Sequence, residues 1–112
     1  MENPLLKTVA LEDTAAHSLI DLLVAAGLNE NGIPNNPALL EFTPDMDGPS
    51  GNVYIGNSDL STTVWGKKIV AGIRADWAGL LAPCSIQDVY LMTDATVSAE
   101  VPLLIGITII QR

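Results

Sequence analysis

The chain has 112 residues, 48% apolar and 16% charged, a composition that suits one compact domain and excludes a disordered chain. Thirteen Asp and Glu against five Lys and Arg give a net charge of -8, which repels DNA and anionic membranes and argues against either as a partner. Cys84 is the only cysteine and His17 the only histidine, so an internal disulfide is excluded and a Cys or Ser nucleophile with its base has little support.

The first predicted element is a strand over Leu5 to Leu11. Glu12, Asp13 and Thr14 then offer side-chain oxygens to the free amides of a first helical turn. From Ala15, the positions Leu19, Leu22, Leu23 and Ala26 fall at helical spacing. Gly27 suits the positive φ of a helix end. The expectation is one amphipathic helix of about three turns, within an N-terminal segment spanning about 1–30.

LNENGIPNNP is turn-rich. It leads to a strand over Ala38 to Thr43, with Leu40 and Phe42 on one face and Leu39 and Glu41 on the other. The loop PDMDGPSG separates this from a short strand over Asn52 to Gly56. Further strands are expected over Lys67 to Ile73, Ser85 to Thr93 and Val97 to Ile110. The last alternates most strictly, Val97, Ala99, Val101, Leu103, Ile105, Ile107 and Ile109 marking a buried face. Pro102 is expected to mark an edge or bulge partway along it, and TDAT to close a hairpin between the last two strands. Short strands at close spacing with a single early helix predict a mostly β domain over 1–112, an antiparallel β-sandwich or jelly-roll-like barrel.

Candidate chemistry is sparse. Gly56-Asn57-Ser58 lacks the Gly-Lys-Ser/Thr that cradles a phosphate. Two Cys and His in all cannot supply a zinc ligand set, or the multi-His metal site of a cupin-like enzyme. Asp45-Met46-Asp47-Gly48 opens like a calcium loop, but Pro49 and Gly56 stand where ligands belong. Asp59 reads as a side chain that fixes a turn. No cofactor, metal or catalytic residue is expected. MENPLLKTV lacks the pattern of a secretion signal, and VPLLIGITII is short for a membrane span, so a soluble protein made in a cytoplasm is expected. Cys84 sits among apolar neighbours, where an inert buried thiol is expected.

The aromatic residues are the more informative candidates. Trp65 and Trp77 suit either a core cap or a protein interface. Tyr54 and Tyr90 fall on strand faces opposite Val53/Ile55 and Val89/Leu91, toward solvent, a second layer or a neighbouring subunit. Leu39, Leu104 and Ile110 likewise need cover, which a homo-oligomer supplies.

VYIGNSDLSTTVWGKKIVAG followed by SIQDVYLMTDATVSAEVPLLI resembles small tailed-bacteriophage virion proteins. The likeness rests on Val53 to Ser61, Ile69 to Gly72, Asp88 to Leu91 and Val97 to Ile105, with HSLIDLLVAAG resembling the short helix before their first sheet strands. It implies a capsid decoration (cement) protein, a jelly-roll domain seated as a trimer on the virion surface and bridging major capsid subunits. A head fibre, a tail or head–tail component, or a carbohydrate-binding adhesion module are the alternatives. The chain ends shortly after its last strand, which is expected to favour a compact clamp over a fibre tip.

Overall fold

The computed structural model describes residues 5–29, 38–44, 51–70 and 80–111. The chain is mostly β, with two antiparallel four-stranded sheets and, among the described residues, one short α-helix. In chain order the elements are β1 (Leu5–Leu11), β2 (His17–Ser18), α1 (Leu19–Ala25), β3 (Ala38–Pro44) and β4 (Val53–Gly56). There follow β5 (Lys67–Ile69), β6 (Leu80–Cys84), a 3-10 turn at Ile86–Asp88, β7 (Tyr90–Thr93) and β8 (Leu103–Gln111).

One sheet has the order β1-β8-β3-β6 and the other β2-β7-β4-β5. The pairs β1–β8, β2–β7, β3–β6 and β4–β5 are all antiparallel and nest one inside the next along the chain. The pairs β3–β8 and β4–β7 then join the nested pairs side by side. A long hairpin bent back on itself gives this pattern.

β8 is one of the two inner strands of its sheet, paired with β1 on one side and β3 on the other, and its alternation gives it one buried face. Leu103, Ile105, Ile107 and Ile109 are each at most 2% exposed, whereas Leu104 and Ile110 on the other face are about 40% exposed. Val9, Leu11, Leu40 and Phe42 join them from β1 and β3, and Val53, Ile55, Ile69 and Leu91 from the other sheet. One cluster of buried side chains therefore draws on both sheets, and Leu19, Leu22 and Leu23 of α1 close it.

The helix begins later than its periodicity suggests. Residues 13–15 form a turn in which Asp13 Oδ1 accepts the Ala15 amide at 2.9 Å. His17 and Ser18 pair with Leu91 and Tyr90, which leaves a helix of seven residues. Its N-cap, Ser18, makes no side-chain cap bond. The first helical amide, that of Leu19, instead donates to the Val89 carbonyl at 2.9 Å, so a tertiary backbone bond takes the place of the expected cap. The other end is as expected. Gly27 has φ +100, and the Leu28 and Gly27 amides reach the Leu23 and Val24 carbonyls, a Schellman ending.

Three strand expectations are corrected. Ser85 to Thr93 is not one strand, because the 3-10 turn occupies Ile86–Asp88 and pairing starts at Tyr90. The last strand starts at Leu103 rather than Val97. Pro102 stands just before it, after a turn in which the Ser98 amide donates to Val101 O. TDAT does not close a hairpin either, since β7 and β8 lie in different sheets. β6 had no sequence prediction. Its Pro83 is tolerated because β6 pairs only with β3, at a sheet edge, where the register slips between Ala38 and Leu40. The expected strand beyond Val70, the Asp45–Gly48 segment and Trp77 lie outside the described residues.

Candidate interaction site

β4 places its side chains alternately on two faces. Val53 and Ile55 enter the shared core, and Tyr54 points the other way. Tyr54 is nevertheless only 4% exposed, because Leu60 and Met92 bury it while Ala16 and Tyr90 pack against that cluster. The cover for Tyr54 thus comes from its own chain, from Leu60 of the corner between β4 and β5 and from Met92 of β7.

That corner, residues 57–66, is braced by its own backbone. The Leu60 amide donates to Asn57 O at 3.0 Å, Ser61 N to Val64 O at 2.9 Å and Gly66 N to Ile55 O at 2.8 Å. The Ser61 hydroxyl accepts the Thr63 and Val64 amides at 3.2 and 3.0 Å. Ser61, not Asp59, is the side chain that fixes the turn; Asp59 is exposed and takes part in none of these bonds. Leu60 is buried and plugs the corner inward. Val64 and Trp65 are left facing outward, each nearly half exposed.

Trp65 is held in place by its neighbours. Its ring meets that of Tyr54 edge-on, with centroids 6.4 Å apart and planes at 61°. The Lys68 ammonium lies 5.4 Å from the Tyr54 centroid and 6.0 Å from that of Trp65, near enough for attraction to both ring faces. Behind Tyr54, its hydroxyl donates to Asp94 Oδ2 at 2.9 Å. The Asn52 side chain also donates to Oδ2, at 3.0 Å, and the Asn52 amide to Oδ1 at 2.7 Å. Burial alone would raise the Asp94 carboxyl, but the Asn52 amide, the Tyr54 hydroxyl and the Asn52 side chain outweigh it and hold the group below its usual range. Thr93, fully buried, donates its hydroxyl to Asn52 O and accepts the Ala95 amide. These bonds clamp the start of β4 to the end of β7.

Tyr90 is half-buried and lines a hollow of about 400 Å³ with Asn57, Ser58, Gln87 and Asp88. Of the four aromatic candidates, the structure brings Tyr54 and Trp65 into contact, sets Tyr90 against the same small cluster and does not describe Trp77.

A second feature, which sequence reasoning did not single out, lies at the β2 edge. A cavity of about 300 Å³ is rimmed by Glu12, Asp13, His17 and Asp21 over an apolar floor that includes Leu22 and Ala26. His17 Nε2 lies 2.7 Å from Asp13 Oδ1. That contact and the Ala15 amide outweigh burial and hold the Asp13 carboxyl below its ordinary range. Among the described residues, no group of three or more His, Cys, Asp or Glu is placed to hold a metal ion. No helix there is long and apolar enough to cross a membrane.

No known protein family, curated protein or solved structure matches this chain.

Proposed function

We propose that the chain is a structural virion protein of a tailed bacteriophage, a capsid decoration protein that binds the assembled head and stabilises it. The reading starts from the motif likeness of Val53 to Ser61, Ile69 to Gly72, Asp88 to Leu91 and Val97 to Ile105. The observation that carries it furthest is the strand order. Nested pairs from β1–β8 to β4–β5, split into two four-stranded sheets that share one core cluster, are what a jelly-roll sandwich requires. The fold by itself hosts many functions, so the surface has to supply the role.

The outward face of β1, β8 and β3 supports a binding role. Leu6 is 65% exposed there, with Ile110 diagonally across from it and Leu104 farther along β8, opposite Ala10. Thr8, Thr43 and Thr108 fill the places between them, and Glu41 is the one charged residue among the described side chains of that face. A charge-poor, partly apolar sheet face on a chain of net charge -8 suits contact with a large protein surface. Bound only to assembled capsid, it would stabilise that assembly by mass action.

Heads of the encoding phage assembled without this chain provide the test. Purified protein should bind them saturably, in fixed ratio to the major capsid protein, and raise the temperature at which packaged DNA escapes. Leu104→Asp should weaken that binding. Heads that take up none of the protein, or that lose DNA at an unchanged temperature once saturated, overturn the reading.

A further inference from the structure

We infer that the hollow beside Tyr90 is a binding subsite for a neutral sugar. Tyr90 belongs to the β2-β7-β4-β5 sheet, and the charge-poor face proposed for capsid contact belongs to the other, so a ligand here leaves that face free.

The strand register builds the hollow. Gly56, the last residue of β4, stands opposite Tyr90, the first of β7. The segment leaving β4, Asn57 and Ser58, therefore runs beside the segment entering β7, Gln87 and Asp88. These four residues and Tyr90 line the space of about 400 Å³. The cross-strand neighbours of Tyr90 are Gly56 and Ser18, neither large enough to cover an aromatic ring. Tyr90 thus stays half-buried although it packs against the Tyr54, Leu60 and Met92 cluster.

The walls are set in advance. The Asn57 carbonyl accepts the Leu60 amide at 3.0 Å, and the Asp88 and Val89 amides donate to the Ser85 and Ile86 carbonyls at 3.1 and 3.2 Å. Backbone bonds hold both segments, so their backbone needs little ordering on binding. Among the described residues, the side chains of Asn57, Ser58 and Asp88 are exposed and have no hydrogen-bond partner.

The lining selects the ligand. The Asn57 amide and the Ser58 hydroxyl both donate and accept, whereas the Asp88 carboxylate only accepts. Their complement is a set of neighbouring hydroxyls, which do both. The negative face of a tyrosine ring attracts the C–H bonds of a sugar ring. Among the described residues, no Lys, Arg or His lines the hollow, and Asp88 is its one carboxylate. With a net charge of -8 on the chain, phosphates, nucleotides and acidic sugars are disfavoured, and one carboxylate is too few for a calcium ion. The volume lies at the low end of small-molecule pockets, which suits a monosaccharide or disaccharide unit of a glycan.

The test uses the isolated protein, so its outcome is separate from that of the capsid binding proposed above. Nitrogen–proton correlation NMR spectra are recorded while the methyl glycosides of glucose, galactose, mannose and N-acetylglucosamine are added in turn. At least one should move the backbone amides of residues 57–58 and 87–90 saturably, with a millimolar Kd. Asp88→Ala should weaken that binding at least roughly tenfold and Asn57→Ala at least roughly threefold. Tyr90→Ala should abolish it, and because that change also trims packing, the two exposed positions decide if it fails to fold. Thermal unfolding shows which variants are folded. The methyl glycoside of glucuronic acid should bind more weakly than that of glucose. No saturable shift at these amides with any of the four glycosides overturns the proposal. So does unchanged binding by folded Asp88→Ala or Asn57→Ala, or tighter binding of the glucuronide than of the glucoside.

Discussion

The Tyr54 hydroxyl donates to Asp94 Oδ2 at 2.9 Å, joining the middle of β4 to the residue that follows β7. Tyr54→Phe removes this bond and keeps the ring packed under Leu60 and Met92. A hydrogen bond to a charged acceptor that remains partly solvated places the loss at about 1–2 kcal/mol. Urea unfolding reads it as a lower midpoint at unchanged slope. A midpoint equal to that of wild type would show that the Asn52 bonds alone suffice.

Acid should destabilise the fold in a particular window. The Asp94 and Asp13 carboxyls both sit below their ordinary values when folded. Each therefore contributes stability above the unfolded value, near pH 4, and loses it as pH falls through the lower folded value. Stability should be level near neutrality and decline from about pH 5 downward. Asp94→Asn should flatten that decline, and an identical acid limb in the variant would remove Asp94 from the explanation.

Gly51 should tolerate no side chain. A Cβ there would lie 2.7 Å from the Ala95 Cα and 2.8 Å from its amide nitrogen, and backbone atoms in a clamped crossing cannot move aside. Gly51→Ala should cost about 2–3 kcal/mol. Thermal unfolding is the readout, and a variant with wild-type Tm would mean that the 51–52 and 94–95 segments part easily.

Phe42→Ala should open a cavity in the centre of the shared core, where Phe42 is fully buried. The expected loss is about 3–5 kcal/mol, measured by chemical denaturation. A loss below 1 kcal/mol would indicate that the two sheets collapse around the gap.

How far the sequence could be read follows from where each element gets its stability. β8 was legible because Leu103, Ile105, Ile107 and Ile109 alternate with exposed positions, and periodicity is a local signal. Gly27 was legible because only a positive φ ends that helix cheaply. The start of α1 was not, because its first amide is satisfied by Val89, a residue far along the chain. β6 was hidden by Pro83, which excludes a central strand but not an edge. TDAT looked like a hairpin because local composition cannot report that β7 and β8 belong to different sheets.

The candidate site divides in the same way. Trp65, Tyr54 and Tyr90 could be picked out as aromatics on awkward faces, yet the burial of Tyr54 depends on Leu60 folding back over it. Asp94 gave no sequence signal beyond a turn residue, since its partners lie some forty positions earlier. The acidic cavity escaped because β1, β2 and α1 each supply part of its rim.

The nested pairing has a kinetic consequence. The β4–β5 pair closes the shortest loop in the fold, and each outer pair becomes short-range only after the one inside it has formed. Folding should therefore start at the Ser61 corner and zip outward, with β1 and β8 pairing last. Substitutions in the corner should slow folding, and substitutions at the β1–β8 seam should mainly speed unfolding.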